Sequence, residues 1–236
     1  MNVVSIHIKM IRRNTWRDYF ATLRFCFTFF DWRTALRLPI YVTPLVLYKK
    51  PKDKHRILLD KCGKDTQPAS LLIGFMDREY AWDRPSLIHI KGQLRLCGEG
   101  TRYFAPGVSL CIMDNACVTI GTKFTASHNL RIFAIKSIAI GDDNMWSYDC
   151  VVLDSDGHQI LDDKGNQLNR TLDVRFGNHV WMGARNVVLK GTEIPDGAVL
   201  GACQQLRKSY MEYKAPIIAG GDVVRENVNW SRKLVQ

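Results

Sequence analysis

The residues best suited to chemistry in this 236-residue chain lie in one polar stretch, DSDGHQI, at positions 154–160. His158 carries an imidazole, which can take or give a proton near neutral pH. Asp154 and Asp156 precede it, and a carboxylate beside an imidazole can accept its N–H and fix its tautomer. Each group also has an ordinary interpretation, as a solvated loop histidine or as turn aspartates that bond their own backbone. The residue types alone leave both interpretations open.

Metal and thiol chemistry find less support in the sequence. The seven cysteines include no C-x-x-C pair, and no zinc-ligand spacing links them to the six histidines. None of the cysteines falls in a motif that indicates a nucleophile. Three imidazoles, at His128, His158 and His179, are enough for a zinc site but lack a compact H-x4-H pair. We therefore expect no metal, and the cysteine usage favours a reducing cytosol.

The elements that must position these groups follow a repeat of six residues. Large apolar side chains, which we call anchors, recur at Phe176, Met182, Val188, Ile194, Leu200 and Leu206. Two positions before each anchor stand mostly small or β-branched residues: Val174, Val180, Asn186, Thr192, Ala198 and Gln204. A period of six suits short strands joined by tight turns, three to a triangular coil, so that residues eighteen apart stack in successive coils. The pattern predicts a β-solenoid, with an ordinary β-sandwich as the alternative over residues 110–206.

The same pattern continues upstream less regularly. The step of eight from Ile132 to Ile140 predicts a two-residue bulge in one coil, and Trp146 is larger than the other anchors. Between Val152 and Val174 the rhythm stops for about twenty residues. A segment of this length inside a solenoid is usually functional or disordered, and its Gly, Asp and Asn content predicts an excursion from one corner.

We divide the chain into three segments on this basis. Residues 1–86 are predicted to be a basic, aromatic N-terminal extension or cap, with an amphipathic helix over 15–36 and an extended chain over 38–48. Residues 87–218 are predicted to be the solenoid, with a loop at 154–173. Residues 219–236 are predicted to be a C-terminal tail, with a short helix over 223–234 that closes the solenoid.

The net charge of +10 comes almost entirely from the first of these segments. Residues 1–60 hold twelve Lys and Arg against four Asp, which is +8 of the total. This distribution disfavours a uniformly basic protein that binds nucleic acid. It favours docking on an anionic membrane surface or an acidic glycan precursor, against the alternative of a cap with solvated charges that contacts neighbouring subunits.

The sequence offers no segment that would cross a bilayer. The longest apolar run, residues 38–48, has eleven residues and two prolines. Lys9, Arg12 and Arg13 interrupt any apolar core of a signal peptide. We expect a cytoplasmic protein that contacts the inner membrane face peripherally through its N-terminal extension.

The segments DSDGHQI, GNQLN and DVRFGNHVWMGARNVVLKGTEIPDGAVLGA resemble the hexapeptide-repeat acyltransferases, in the branch of galactoside, maltose and capsular-polysaccharide O-acetyltransferases. The resemblance covers residues 87–230 well and residues 1–60 weakly. It implies a left-handed parallel β-helix and a homotrimer with active sites in the clefts between subunits. It also implies acetyl-CoA as donor and a sugar or polysaccharide acceptor, in surface polysaccharide or lipopolysaccharide biosynthesis.

The resemblance further assigns roles to residues. It places the catalytic base on His158, with Asp156 or Asp154 as the candidate partner of the imidazole, and Trp181 in the donor or sugar channel. It runs the pantetheine arm along small residues at matching turns one coil apart: Gly183, Ala184, Gly201 and Ala202. Four cations lie beyond this ridge and are candidates to hold the CoA phosphates, with solvated surface charge as the alternative for each: Arg207, Lys208, Lys214 and Arg225.

Some positions depart from the family pattern or have a plainer interpretation. His179 stands where the family usually has Asn or Asp, which favours a structural role in a turn, and His128 is also interpreted as structural. The segment AGGD at 219–222 replaces the family's GNPA, which leaves adenine and 3′-phosphate binding undefined. Three functions remain as alternatives: N-acetylation of an amino sugar, a non-catalytic glycan-binding solenoid, and a zinc enzyme like the γ-carbonic anhydrases, which share the solenoid.

Overall fold

The computed structural model describes residues 4–5, 7–8, 15–54, 56–60, 69–75 and 84–233. Parts of the predicted N-terminal segment and the last residue of the predicted C-terminal helix lie outside these ranges. The described helices are α1 (Trp16–Phe29) and α2 (Trp32–Ala35). The strands are numbered β1 to β22 in chain order and form three sheets.

Each sheet is one side of a triangular coil. Sheet A consists, in spatial order, of β1 (Ile40–Val42), β4 (Leu71–Ile73), β7 (Arg102–Phe104), β10 (Thr125–Ala126), β13 (Met145–Trp146), β16 (Trp181–Met182), β19 (Val199–Leu200), β21 (Ile217–Ala219) and β22 (Asp222–Arg225). Sheet B consists of β2 (Val46–Tyr48), β5 (Ser86–Ile90), β8 (Ser109–Ile112), β11 (Arg131–Ala134), β14 (Val151–Leu153), β17 (Val187–Val188) and β20 (Gln205–Leu206). Sheet C consists of β3 (Ile57–Asp60), β6 (Gln93–Cys97), β9 (Cys117–Ile120), β12 (Ser137–Ile140), β15 (Val174–Phe176) and β18 (Glu193–Ile194).

From β1 to β18 the chain visits sheets A, B and C in turn, so each of these circuits adds one parallel strand to every sheet. The predicted stacking of residues eighteen apart is confirmed, since Phe176 pairs with Ile194, Met182 with Leu200 and Val188 with Leu206. All six anchors are buried. The fold class predicted from the sequence, a left-handed parallel β-helix, is therefore confirmed.

The interior accommodates Trp146 through a column of aromatic rings. Phe124 lies 4.9 Å from Trp146 and Phe176 lies 4.6 Å from it on the other side, measured between ring centroids. Phe104 extends the column at 5.4 Å from Phe124. The strand neighbour of Trp146 in the preceding coil is Ala126, whose small side chain leaves room for the rings. The large volume of the Trp146 side chain is therefore balanced by the small volume of Ala126 in the preceding coil.

The coils begin at Ile40, well before the predicted solenoid start at residue 87. Strands β1, β2 and β3 pair in parallel with β4, β5 and β6, and therefore form the first coil of the same three sheets. The six-residue period does not reveal these coils, because residues 61–70 and 74–85 separate their strands. Segments of that length break the fixed spacing from which the solenoid was predicted.

The predicted helix near the N-terminus is present and closes the first coil. Helix α1 begins with a capping box, in which the Thr15 hydroxyl and the Asp18 carboxylate each accept a backbone N–H of the other residue. Its buried Thr22 donates its hydroxyl to the Val42 carbonyl at 3.0 Å, and the Cys26 thiol donates to the Ile40 carbonyl. Of the helices in the described part of the chain, none has the length and apolar run that a bilayer crossing requires.

The predicted C-terminal helix over 223–234 is wrong for the residues that the structure describes. Strand β22 instead runs antiparallel to β21 across a turn at Gly220 and Gly221. Both glycines have positive φ, 64° and 83°, which is the backbone that a two-residue hairpin turn requires. The Gly-Gly pair followed by the β-branched Val223 and Val224 explains why a hairpin forms here.

Replacing Trp146 with alanine should destabilise the protein by about 3–5 kcal/mol, because the change removes a buried indole and leaves a cavity between two aromatic rings. Chemical denaturation of the purified protein measures this loss. Met211→Ala is the control, since Met211 is exposed and should change stability by less than about 0.5 kcal/mol. A Trp146 variant as stable as the control would contradict the role given to the aromatic column.

Candidate active site

The segment 154–173 is an ordered excursion from the corner between sheets B and C, as the sequence predicts. It leaves β14 after Leu153 and returns at Val174, the first residue of β15. The Asp162 carboxylate accepts backbone N–H groups at the tip of the loop, and Leu161 and Gln167 form an antiparallel bridge across it. The backbone therefore doubles back on itself in a defined way.

His158 is exposed near the base of this loop, where a single side chain holds the backbone around it. The Asn169 amide donates to the His158 carbonyl at 2.8 Å and to the Asp156 carboxylate at 2.7 Å. Its oxygen accepts the backbone N–H of Ile160 at 2.7 Å. The imidazole itself forms no hydrogen bond with the described residues. The loop thus fixes the backbone on both sides of His158 and leaves its ring for a ligand.

Asp156, predicted as a partner of the imidazole, binds other groups. Its carboxylate accepts hydrogen bonds from the Lys190 ammonium and from Asn169. The hydrogen bond from Lys190 and then that from Asn169 lower the pKa of Asp156 below its ordinary value. Asp156 therefore anchors the loop to the coil that carries Lys190, and within the described residues no hydrogen bond joins its carboxylate to the His158 ring.

Asp154, the other candidate partner, is fully buried and braces a corner of the coil. Its carboxylate accepts the backbone N–H groups of Ile135 and Lys136 at 2.8 and 2.7 Å. These two residues form the corner between β11, which ends at Ala134, and β12, which begins at Ser137. The carboxylate supplies acceptors for their N–H groups, which would otherwise lack partners.

Trp181 projects outward from sheet A, as its place in the six-residue register requires. It is 41% exposed and pairs with Met145 and Val199 in the neighbouring strands. Sheet A is the side of the triangle opposite the corner from which the loop leaves. His158 and Trp181 of one chain therefore lie on different sides of the coil stack, and among the described residues no hydrogen bond or ring contact joins them.

A segment that the sequence did not reveal lies beside Trp181. We call residues 226–233 the C-terminal strap. Trp230 of the strap stacks on His179 with centroids 4.1 Å apart and planes 9° apart, and its indole N–H donates to the His179 carbonyl at 2.8 Å. His179 has φ 55° and hydrogen-bonds Asp143 at 2.7 Å and the Trp230 carbonyl at 3.1 Å. These contacts agree with a structural role for His179.

Arg232 continues the strap across two earlier coils. Its guanidinium donates to the Asp143 carboxylate, the Thr125 hydroxyl and the carbonyls of Lys123 and Asn144, at 2.8–3.1 Å. Burial alone would raise the pKa of Asp143, but the hydrogen bonds from His179 and Arg232 outweigh it and lower that pKa. The signal in the sequence is the aromatic and basic run NWSRK at 229–233, which has no periodicity.

The predicted donor ridge lies at the corner between sheets A and B, next to Trp181. Ala184 and Ala202 occupy matching turns, and the Ala184 carbonyl accepts the N–H of Cys203 at 2.8 Å. A Cβ at Gly183 would come within 2.9 Å of the Gly201 carbonyl carbon, so coil packing alone requires glycine there. In the described ranges, the N–H groups of Ala184 and Ala202 have no acceptor, and a ligand amide could receive them.

The predicted phosphate-binding cations lie only partly together. Lys208 and Arg225 line one open cleft with Tyr213, and Lys208 also pairs with Asp222 at 3.3 Å. Arg207 and Lys214 are exposed outside this cleft. The AGGD segment, which departs from the family pattern, forms the β21–β22 turn at its edge.

Across the described residues, the His, Cys, Asp and Glu side chains form no cluster that could hold a metal ion. Of the three histidines considered from the sequence, His179 already has both ring nitrogens in hydrogen bonds. His158 stands alone on the loop. The arrangement suits proton transfer by an imidazole.

Two characterised proteins are similar to the chain in sequence, although no protein-family profile matches it. The chain is 33% identical over 154 residues to the polysialic acid O-acetyltransferase of Neisseria meningitidis, a match that covers 61% of this chain and 72% of that protein. It is 33% identical over 86 residues to the galactoside O-acetyltransferase of Escherichia coli (strain K12), covering 36% of this chain and 42% of that protein.

Solved structures of acyltransferases also superpose on the chain. The polysialic-acid-specific acetyltransferase NeuO superposes with a TM-score of 0.49 at 18% identity, covering 75% of this chain and 90% of that one. The polysialic acid O-acetyltransferase OatWY gives 0.46 at 25% identity, covering 77% and 93%. A point mutant of AntD, an N-acyltransferase from Bacillus cereus in complex with dTDP and coenzyme A, gives 0.41 at 15% identity, covering 82% of each chain.

The fold and the sequence relatives together define an acyltransferase. The chain belongs to the hexapeptide-repeat acyltransferase family, in the branch that contains the galactoside and polysaccharide O-acetyltransferases.

Replacing Asn169 with alanine should loosen the loop without weakening the coils, because the change removes three hydrogen bonds that lie within the loop. Hydrogen–deuterium exchange should speed up for the amides of residues 156–169 and stay unchanged in β14 and β15. Lys164→Ala at the exposed tip is the control. Equal exchange in the variant and the wild-type protein would show that Asn169 does not hold the loop.

Proposed function

We propose that the protein transfers an acetyl group from acetyl-CoA to a sugar hydroxyl, with His158 as general base. The observation that carries this proposal is the exposed imidazole on an ordered loop, held at its backbone by Asn169 and free of hydrogen bonds to the described residues. A sugar hydroxyl is a poor nucleophile, and an imidazole near neutral pH can remove its proton during attack.

Direct transfer between the two substrates fits the chemistry of the chain. The neutral imidazole takes the hydroxyl proton as the sugar oxygen attacks the thioester carbonyl carbon. The tetrahedral oxyanion needs preorganised donors, and backbone N–H groups at the coil turns are candidates for that role. When the carbon–sulfur bond breaks, the imidazolium returns the proton to the departing CoA thiolate. The proton, the acetyl group and the charge are then balanced without an acyl-enzyme.

A buried cysteine beside the donor ridge supports direct transfer. Cys150 is buried, and its thiol donates to the Gly183 carbonyl at 3.3 Å. Burial raises the pKa of Cys150 to about 11, which keeps it a thiol at neutral pH. A thiol that stays protonated is a weak nucleophile. Cys150 is therefore unsuited to accept the acetyl group.

The active site is completed between subunits of a homotrimer. In one chain the His158 loop and Trp181 lie on different sides of the coil stack, so a cleft that uses both needs a neighbouring copy. Four large apolar side chains of the loop are exposed and suit a subunit contact: Ile160, Leu161, Leu168 and Leu172. The loop of one subunit then faces Trp181 and the donor ridge of the next.

The donor lies along the ridge in this arrangement. The N–H groups of Ala184 and Ala202 donate to the carbonyls of the pantetheine amides, and the close-packed turns at Gly183 and Gly201 hold these donors in place. Lys208 and Arg225, with Arg207, meet the CoA phosphates at the end of the coil stack. Trp181 forms a wall between the thioester and the acceptor.

The acceptor class follows from the relatives, which are named for polysialic acid and galactosides. A sugar hydroxyl in a surface polysaccharide or lipopolysaccharide precursor is the acceptor proposed for this chain, in the cytoplasm where acetyl-CoA is made. Purified protein with acetyl-CoA and a panel of nucleotide sugars, lipid-linked glycans and polysaccharides should release free thiol with one of them. NMR of that product identifies the acetylated atom. Acetylation at a nitrogen would contradict the proposed O-acetyltransferase and indicate an N-acetyltransferase of an amino sugar.

Replacing His158 with alanine should lower the turnover number by about a hundredfold to ten-thousandfold, because the general base is lost. Thiol release measures the rate, and size-exclusion chromatography checks that the oligomer is unchanged. Gln159→Ala, the next residue of the same loop, is the matched control and should retain activity. Near-normal turnover of the His158 variant would contradict the assignment.

Activity should return when His158→Ala and Trp181→Ala subunits are combined in one trimer, because some clefts then draw both intact residues from different chains. Each mixed trimer, of either composition, then has about one intact cleft in three. Co-expression with two affinity tags isolates the mixed trimers for the thiol assay. Mixed trimers no more active than either variant alone would contradict a shared site.

A further inference from the structure

The solvent side of α1 carries large aromatic side chains that the fold does not use. Trp16, Phe20 and Phe27 lie on one face of the helix, because residues four and seven apart recur on the same side. They are 61%, 61% and 39% exposed. The opposite face, with Phe25 and Phe29, fills the first coil. The helix therefore has two apolar faces, and the coils cover only one of them.

The exposed face continues onto the elements beside the helix. Trp32 of α2 is 60% exposed, and Leu45 and Leu47 near β2 are 42% and 57% exposed. Phe20, Leu45 and Leu47 line an open groove between α1 and the β1–β2 turn. We call the following residues the cap surface: Trp16, Arg17, Phe20, Arg24, Phe27, Trp32, Leu45 and Leu47.

Cations lie within and around the cap surface. Arg17 and Arg24 line the groove, and the Arg33 guanidinium lies 5.2 Å from the centre of the Trp32 ring. The chain that follows β2 adds a second pocket with cationic walls: Lys49, Lys50, Lys52, Arg56 and Lys91. Residues 1–60 as a whole carry twelve Lys and Arg against four Asp. The apolar face is therefore bordered by positive charge.

This combination fits an anionic bilayer better than other occupants. Tryptophan and phenylalanine side chains insert at the level of lipid headgroups, and nearby arginines bind the lipid phosphates. A second copy of the same surface would bring like charges face to face. A soluble acidic glycan would use the cations but would gain nothing from burying Leu45 and Leu47.

We propose that the cap surface docks the protein on an anionic membrane. The aromatic side chains enter the interface between headgroups and acyl chains, and the arginines pair with lipid phosphates. The contact is peripheral, since α1 has fourteen residues and packs on the first coil. This inference concerns the end of the coil stack opposite the donor cations and does not depend on the proposed acetyl transfer.

Co-sedimentation of the full chain with lipid vesicles tests the proposal. Wild-type protein should pellet with vesicles of phosphatidylcholine and phosphatidylglycerol and stay in solution with phosphatidylcholine alone. The double variant Phe20→Glu with Arg24→Glu should partition at least about tenfold less, because it loses an apolar anchor and reverses a cation. Binding by the wild-type protein should weaken as salt is added.

The matched control is Met211→Glu with Arg131→Glu, which makes the same change in charge at an exposed apolar residue and an exposed cation far along the chain from the cap surface. It should bind vesicles as the wild-type protein does. Thermal unfolding of both double variants checks that the fold is kept. The proposal would be overturned if the wild-type protein failed to pellet or bound neutral vesicles equally well. It would also be overturned if the cap variant bound as well as the wild-type protein, or if the protein bound a soluble anionic polysaccharide but no vesicles.

Discussion

Buried polar side chains turned into the solenoid satisfy corner carbonyls and join successive coils of this protein. The Asn144 amide donates to carbonyls at 141, 142 and 177, and the Asn186 amide donates to those of Gly183 and Gly201. Each amide thus bonds carbonyls from two successive coils, and the Asn186 oxygen accepts the N–H of Gln204. Buried carbonyls without partners would be costly, so these amides lock neighbouring coils in one register. The placement of every loop and outward side chain follows from that register.

The positions of both the His158 loop and Trp181 depend on this register. A corner opened by a long insertion directs the His158 loop away from the stack, and the two-residue strand β16 presents Trp181 on a flat outer face. Within one chain, the coils between His158 and Trp181 fix the distance between these two side chains. In the trimer that we propose, the catalytic geometry depends on how two copies meet, and the loop carries both the imidazole and exposed apolar groups that suit such a contact.

The sequence predicts well what repeats and poorly what joins distant parts of the chain. The six anchors are all buried because their spacing is a local property of each coil. The partners of Asp154 lie nineteen and eighteen residues away, and those of Arg232 lie about a hundred residues away, so no local spacing indicates them. The six-residue period does not predict the first coils, because long connections separate their strands. The hairpin that replaces the predicted C-terminal helix did have a local signal, the Gly220–Gly221 pair. The large Trp146 side chain fits into the interior because Ala126, its neighbour in the preceding coil, is small.

The C-terminal strap also has a consequence for the order in which the chain folds. A solenoid can add one coil after another during synthesis, since each coil contacts only its neighbours. Arg232, however, bonds Thr125 and the Lys123 carbonyl, more than a hundred residues earlier. These groups must wait for the ribosome to deliver the strap, so the outer face beside Trp181 is finished only after the coils beneath it. A chain halted before the strap would therefore have these coils without the contacts that Arg232 makes across them.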